Sequence, residues 1–254
     1  MNDQIKIVFI ANAGFLIEFQ GTRLLIDGIY EDEGHSFSCI PAIYWEEMKK
    51  GKGVLADVDY LLFTHEHADH FSPEKVMEYL EYQTPKAIFM PKRGSSALKE
   101  LSVKAEQKGI PSALLEKTFC DRSIFMPEKG IRIKVLTTKH LDKRYLNVPH
   151  FCYFLQLGEK KILVTSDIDF RSEEMKEISG ISLDAVFINP LMNHSKEGKE
   201  FLEKNIHTEK KIVYHIPFEG EDSTQIRSIA QKDISFQRTA GNIFFMETGQ
   251  EVYL

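Results

Sequence analysis

Thr64-His65-Glu66-His67-Ala68-Asp69-His70 is the stretch that decides the reading of this chain. It follows a short apolar run, 60–63, with the composition of a strand. It precedes a helix over 73–82 that has Pro73 in its first turn. Imidazole and carboxylate are ligands that zinc, iron and manganese all accept. In a loop at a strand end, neighbouring side chains point to different centres, so one segment is able to serve two ions. The plain alternative is a solvated polar loop. It is disfavoured because clustered histidines repel one another once protonated, and structural roles seldom need three.

Three further residues of ligand type each close an apolar run: His140 after 135–137, Asp167 after 162–165 and His215 after 211–214. A site built at one edge of packed sheets has this pattern. His150 competes with His140, but it opens a strand where His140 closes one. Asp169 competes with Asp167, which directly follows its strand. His194 and His35 are candidates for substrate contact, and each also reads as a loop histidine. Glu66 reads as a spacer between ligands, Tyr214 as a packing residue and His207 as a surface residue.

Outward from these residues, 5–10, 15–19 and 23–26 form a meander of three strands joined by tight turns. Residues 28–40 are acidic and irregular, a stretch that reads as a functional lid or else as disorder. A helix follows over 41–50, on which Trp45 reads as an exposed aromatic suited to an interface. Beyond 73–82 the pattern alternates: a strand at 87–90, a helix at 95–108, a strand at 131–137, a hairpin of 151–157 with 161–165, and a short helix at 173–178. Then come a strand at 184–188, a helix at 197–205, a strand at 211–215, a helix at 224–231, and short strands ending at 250–254. Meanders first and alternation later predict an α+β fold, sheets covered by helices, in a single domain over 1–254. Repeats and linkers are absent.

The chain is acidic, with 38 acidic against 32 basic residues, which opposes a broad nucleic-acid surface. A hydrophobic content of 43% suffices for a full core. Cys39, Cys120 and Cys152 are too few and too scattered for a disulfide framework or a Cys-rich zinc site, and suit a reducing compartment. No run approaches the roughly 20 apolar residues that span a bilayer. The N-terminus enters a strand directly, with no signal-peptide pattern. The cytoplasm is the expected location, and no membrane or nucleic acid is expected as a partner. No Gly-x-Ser-x-Gly elbow or phosphate-binding glycine loop is present.

The opening Ile-Ala-Asn-Ala-Gly-Phe-Leu-Ile-Glu-Phe-Gln-Gly-Thr-Arg-Leu-Leu-Ile-Asp, ending at Asp27, together with the 65–70 motif and the later His140, Asp167 and His215, resembles the metallo-β-lactamase fold superfamily. Within it, the chain looks most similar to the branch that includes ascorbate-6-phosphate lactonase. The resemblance implies an αββα four-layer sandwich of two mixed sheets face to face with helices outside. It implies a first divalent ion on His65, His67 and His140, a second on Asp69, His70 and His215, and Asp167 bridging them. A hydroxide between the ions is the implied nucleophile, with Asp69 and Asp167 as the catalytic carboxylates. Zinc is the first choice of metal, with manganese, iron and nickel as alternatives. Two positions depart from the superfamily's pattern: Lys139 and Ser166 stand where glycine is usual.

The implied activity is metal-dependent hydrolysis of a small ester, lactone, amide or phosphodiester. The competing readings are mononuclear iron redox chemistry on a sulfur compound, a nuclease, and a non-catalytic metal-binding protein on the same fold.

Overall fold

The computed structural model describes residues 4–31, 37–92, 95–116, 124–171, 173–236 and 241–254. The chain divides into two compact units, one of Met1–Glu116 with Glu247–Tyr253 and the other of Lys117–Met246 with Leu254.

In the first unit, strands β1 (Ile5–Ala11), β2 (Gly14–Phe19) and β3 (Thr22–Ile26) form the expected antiparallel meander. Helix α1 (Ala42–Lys49) precedes β4 (Tyr60–Leu62), and α2 (Pro73–Tyr82), β5 (Ala87–Pro91), α3 (Ser96–Gln107) and β6 (Ser112–Leu115) follow. β4 pairs with β3 in parallel, Ile26 opposite Leu62. That register matters for function, because parallel pairing sets the carboxyl ends of two strands side by side. Asp27 and Thr64 are therefore neighbours in space, and the Asp27 N–H donates to the Leu62 carbonyl at 2.9 Å.

The second unit begins, among described residues, with β7 (Ile124–Glu128) and β8 (Ile131–Thr138), then β9 (His150–Leu157), β10 (Lys160–Val164) and β11 (Ser182–Ile188). Helices α4 (Pro190–His194) and α5 (Lys196–Asn205), strand β12 (His207–Val213), α6 (Ile226–Ser235) and β13 (Asn242–Phe244) complete it. β7 to β10 are antiparallel neighbours, whereas β10, β11, β12 and β13 run parallel. Asp167, Asn189 and His215 all lie beyond the carboxyl ends of this parallel set. A last strand, β14 (Glu251–Tyr253), returns to the first sheet beside β1. Each sheet thus has seven strands of mixed direction.

Each unit has its own apolar cluster. In the first, Leu16, Leu25, Leu61, Phe63 and Phe71 pack with Val76, Tyr79 and Leu80 of α2. In the second, Leu163, Val186 and Ile188 pack with Phe201 and Leu202 of α5 and Ala230 of α6.

Several elements depart from the sequence expectation. β6 is four residues of mostly weak strand formers, held by its pairing to β5. β7 contains Pro127, which removes a ladder donor, and its register with β8 shifts between Phe125 and Glu128. β12 begins at His207, because pairing with β11 overrides the polarity of 207–210. Glu173–Glu177 is a 3-10 turn rather than an α-helix. Trp45 is not exposed. It is 7% accessible, and its indole Nε1 donates to Glu78 at 2.9 Å. Cys39 and Cys152 carry reduced thiols, and Cys120 lies outside the described residues. Among described residues no helix is long and apolar enough to cross a membrane.

The metal-motif loop passes directly into α2, whose N-cap is Ser72. Its hydroxyl accepts from Lys75 N at 3.1 Å and donates to Glu31 at 3.1 Å. Replacing Ser72 with Ala should therefore lower stability by about 1 kcal/mol in urea unfolding, with the slope of the transition unchanged.

Candidate metal centre

In the first unit, the loop between β4 and α2 carries Thr64, His65, His67, Asp69 and His70, beside Asp27 at the end of β3 and Asn12 in the β1–β2 turn. Asp27 is fully buried. One of its oxygens accepts from Thr64 N at 2.8 Å. The other accepts from Thr64 Oγ1 at 2.6 Å and from His70 Nδ1 at 2.9 Å.

These bonds fix two tautomers. His70 gives its Nδ1 proton to Asp27, so its Nε2 lone pair is left for an ion. Thr64 Oγ1 spends its own proton on Asp27, so at 3.0 Å from His65 Nδ1 it acts as acceptor, and His65 likewise presents Nε2. His65 Nε2 and His67 Nδ1 lie 3.0 Å apart. Two imidazoles on one tetrahedral zinc, with Zn–N near 2.0–2.1 Å, hold their nitrogens about 3.3 Å apart. The spacing therefore fits a shared ion. Asp69 Oδ2 is 3.6 Å from His70 Nε2 and accepts from Asn12 Nδ2 at 3.2 Å.

In the second unit, His140, Asp167 and His215 lie together. Backbone bonds stitch the first two segments together: Leu141 N donates to Asp167 O at 2.7 Å and Asp169 N to Lys139 O at 2.8 Å. Asp167 Oδ2 then stands 3.7 Å from His140 Nε2 and 3.6 Å from His215 Nε2. Asn189, at the end of β11, donates to Ser166 O at 3.3 Å and to Asp167 Oδ1 at 3.4 Å. The tautomer at His140 differs from those at His65 and His70. The Asp142 N–H donates to His140 Nδ1 at 3.0 Å, so the neutral ring carries its proton on Nε2. An ion at that nitrogen requires the other tautomer. The carboxyl of Asp142 itself is held down at about 2 by its hydrogen bond to the Arg144 guanidinium.

The competitors are placed as follows. His150 is buried, its ring 5.9 Å from that of His140, with Nδ1 against Thr138 Oγ1 at 2.6 Å. Asp169 accepts from Arg171 N in a local turn. Tyr214 is fully buried, edge-on to Phe187 at 5.7 Å. His194, half-exposed at the end of α4, has Nδ1 2.9 Å from the buried carboxylate of Asp233 on α6. His35 lies outside the described residues. Of the two departures from glycine, Ser166 has φ of 50°, the left-handed backbone that explains why glycine is usual there. Lys139 is not in that region, so a side chain is no strain at that position.

The sequence reading assigned no role to Asn12, Thr64 or Asn189, and named Asp27 only as a hairpin end. Of these, Thr64 alone adjoins a candidate ligand in the sequence.

The family model described as "Anti-Pycsar protein Apyc1" matches residues 9–252. The UPF0173 protein PF0020 of Pyrococcus furiosus is 35% identical over 89 residues, which is 34% of this chain and 34% of that protein's length. Igni18, a metallo hydrolase from Ignicoccus hospitalis, aligns over 99% of this chain and 98% of its own at 15% identity and a TM-score of 0.63. YhfI from Bacillus subtilis, a metallo-β-lactamase fold protein, aligns over 100% of both chains at 11% identity and a TM-score of 0.62. The fold is thus α+β, with two mixed seven-stranded sheets, of the metallo-β-lactamase type. The narrower likeness to the branch that includes ascorbate-6-phosphate lactonase finds no support in these comparisons.

Removing the Asp27 carboxylate takes away the acceptor of three buried hydrogen bonds, from Thr64 N, Thr64 Oγ1 and His70 Nδ1. Asp27→Ala is expected to cost about 3 kcal/mol in urea unfolding of chelator-treated protein. It should also weaken metal retention about 10–100-fold in competition with a chromogenic chelator.

Proposed function

The chain belongs to the Anti-Pycsar protein Apyc1 family, and from that premise and its two groups of histidines and aspartates we propose that it is a dinuclear metal-dependent hydrolase. The observation that carries the reading is the fixing of the His65 and His70 tautomers by Asp27 and Thr64. A loop histidine that merely faces solvent has no use for such a relay. Metal-binding histidines commonly have one.

On this reading the two units work as one domain. His65, His67 and His140 hold one ion, Asp69, His70 and His215 the other, and Asp167 serves both. Zinc suits the nitrogen- and oxygen-donor set, as do manganese, iron and nickel. When bound, two such ions supply an acidified water and positive charge for a developing oxyanion. The chain's own residues orient that chemistry. Asp27 and Thr64 hold the imidazoles, Asn12 holds Asp69, and Asn189 holds Asp167. His194, backed by Asp233, is proposed to contact substrate through Nε2. His35 is proposed as a second contact from the acidic loop. The substrate class is a small ester, lactone, amide or phosphodiester, and the cytoplasm is the proposed location. The family takes its name from an anti-Pycsar protein. Any such effect of this chain would be exerted by hydrolysing a small molecule.

The test is metal content per chain by mass spectrometry for wild type and Asp167→Ala, both purified without added metal. Two equivalents are expected in wild type, with one or none in the variant. Hydrolysis in a screen of lactones, esters, amides and phosphodiesters should fall at least about 100-fold in the variant. One equivalent of iron, or metal content indifferent to Asp167, would sink the dinuclear reading.

A further inference from the structure

Asn12 sits in the turn between β1 and β2, fully buried and with φ of 43°. Its amide Nδ2 reaches Asp69 twice, at 3.3 Å to the backbone carbonyl and at 3.2 Å to carboxylate Oδ2. The opposite amide orientation would set a carbonyl oxygen against both of those oxygens, so the donor direction is fixed. Asn12 Oδ1 is buried and has no hydrogen-bond partner among the described residues. The side chain therefore bonds, through Nδ2, to Asp69 and to nothing else in the described protein.

We propose that Asn12 is a positioning residue for the ion that Asp69 helps to hold, an inference that rests on the metal-centre reading above. Two demands meet at this position. The turn needs a left-handed backbone, and Asp69 needs a neutral donor. Among residues with side chains, asparagine tolerates that backbone well and brings the amide donor as well. Glycine satisfies the turn and lacks the donor. Aspartate keeps the shape and replaces the donor with a charge. The amide restrains the Asp69 carboxylate and its loop together, so the oxygen that faces His70 Nε2 is pre-set before an ion arrives.

Asn12→Gly and Asn12→Asp separate the donor from the turn. The readouts are zinc retention against a chelator series, the visible spectrum of the cobalt-substituted protein, and the Tm of the metal-free form. In Asn12→Gly one of the two ions should be held about 10–100-fold more weakly while the other is unchanged. The cobalt bands of one centre should shift, and the metal-free Tm should stay within a few degrees of wild type. Asn12→Asp should also weaken that ion, since two carboxylates about 3 Å apart resist joint ionisation. In an Asp69→Ala background, Asn12→Gly should have no further effect. Wild-type retention or tighter binding in both variants overturns the proposal, as does equal loss of both ions together with a lowered metal-free Tm. A wild-type protein that takes up no metal overturns the metal reading itself, and this proposal with it.

Discussion

The Asp27 carboxylate is the contact on which the histidine-bearing loop of the first unit depends. It is buried, accepts three hydrogen bonds, and connects the end of β3 to both ends of the 64–70 loop. A bare carboxylate in that position would be costly. Here it is satisfied by a backbone N–H, a hydroxyl and an imidazole, and those bonds also dictate which nitrogen His65 and His70 offer. Parallel pairing of β3 with β4 makes this possible, because only that arrangement sets Asp27 beside Thr64. An antiparallel β4 would have carried the loop to the opposite end of the sheet.

The second unit reaches the same end by the same device. β10, β11 and β12 run parallel, so Asp167, Asn189 and His215 emerge together from their carboxyl ends. The turns that follow are tight. Among the described residues, seven non-glycine residues have positive φ, and four of them, Asn12, Asp27, Ser166 and His215, are candidate ligands or lie against one. Left-handed backbone at an L-residue costs roughly 1–2 kcal/mol. Its concentration here indicates that side-chain placement at the centre outweighs local backbone preference.

Much of this was legible in the sequence. The 65–70 cluster, and His140, Asp167 and His215 each closing an apolar run, are visible because a ligand at a strand end breaks a hydrophobic pattern abruptly. The opening meander is visible from its turns. Less legible were the short or edge elements. β6 and α4 are too short to show periodicity, and Pro127 disguises β7. The supporting residues were the least visible, for a different reason. Asn12 reads as a turn residue and Thr64 as the first residue of the polar stretch after a strand, and both readings are right as far as they go. Their second role depends on which strand lies alongside, which no local pattern states.

The two units differ in how they set the tautomers of their histidines. In the first, Asp27 and Thr64 accept the Nδ1–H of His70 and His65, which puts the lone pair of each ring on Nε2. In the second, His140 Nδ1 accepts from the Asp142 backbone, and the proton sits on the nitrogen that an ion would need. Asp142 is held in place by its own pairing with Arg144, which caps the turn over Lys143–Tyr145. An ion held at His140 Nε2 would require the other tautomer, at the cost of that backbone hydrogen bond, worth about 1 kcal/mol net. The segment 139–148 thus sets the His140 tautomer with a backbone donor, where the 64–70 loop has those of His65 and His70 set by side-chain acceptors.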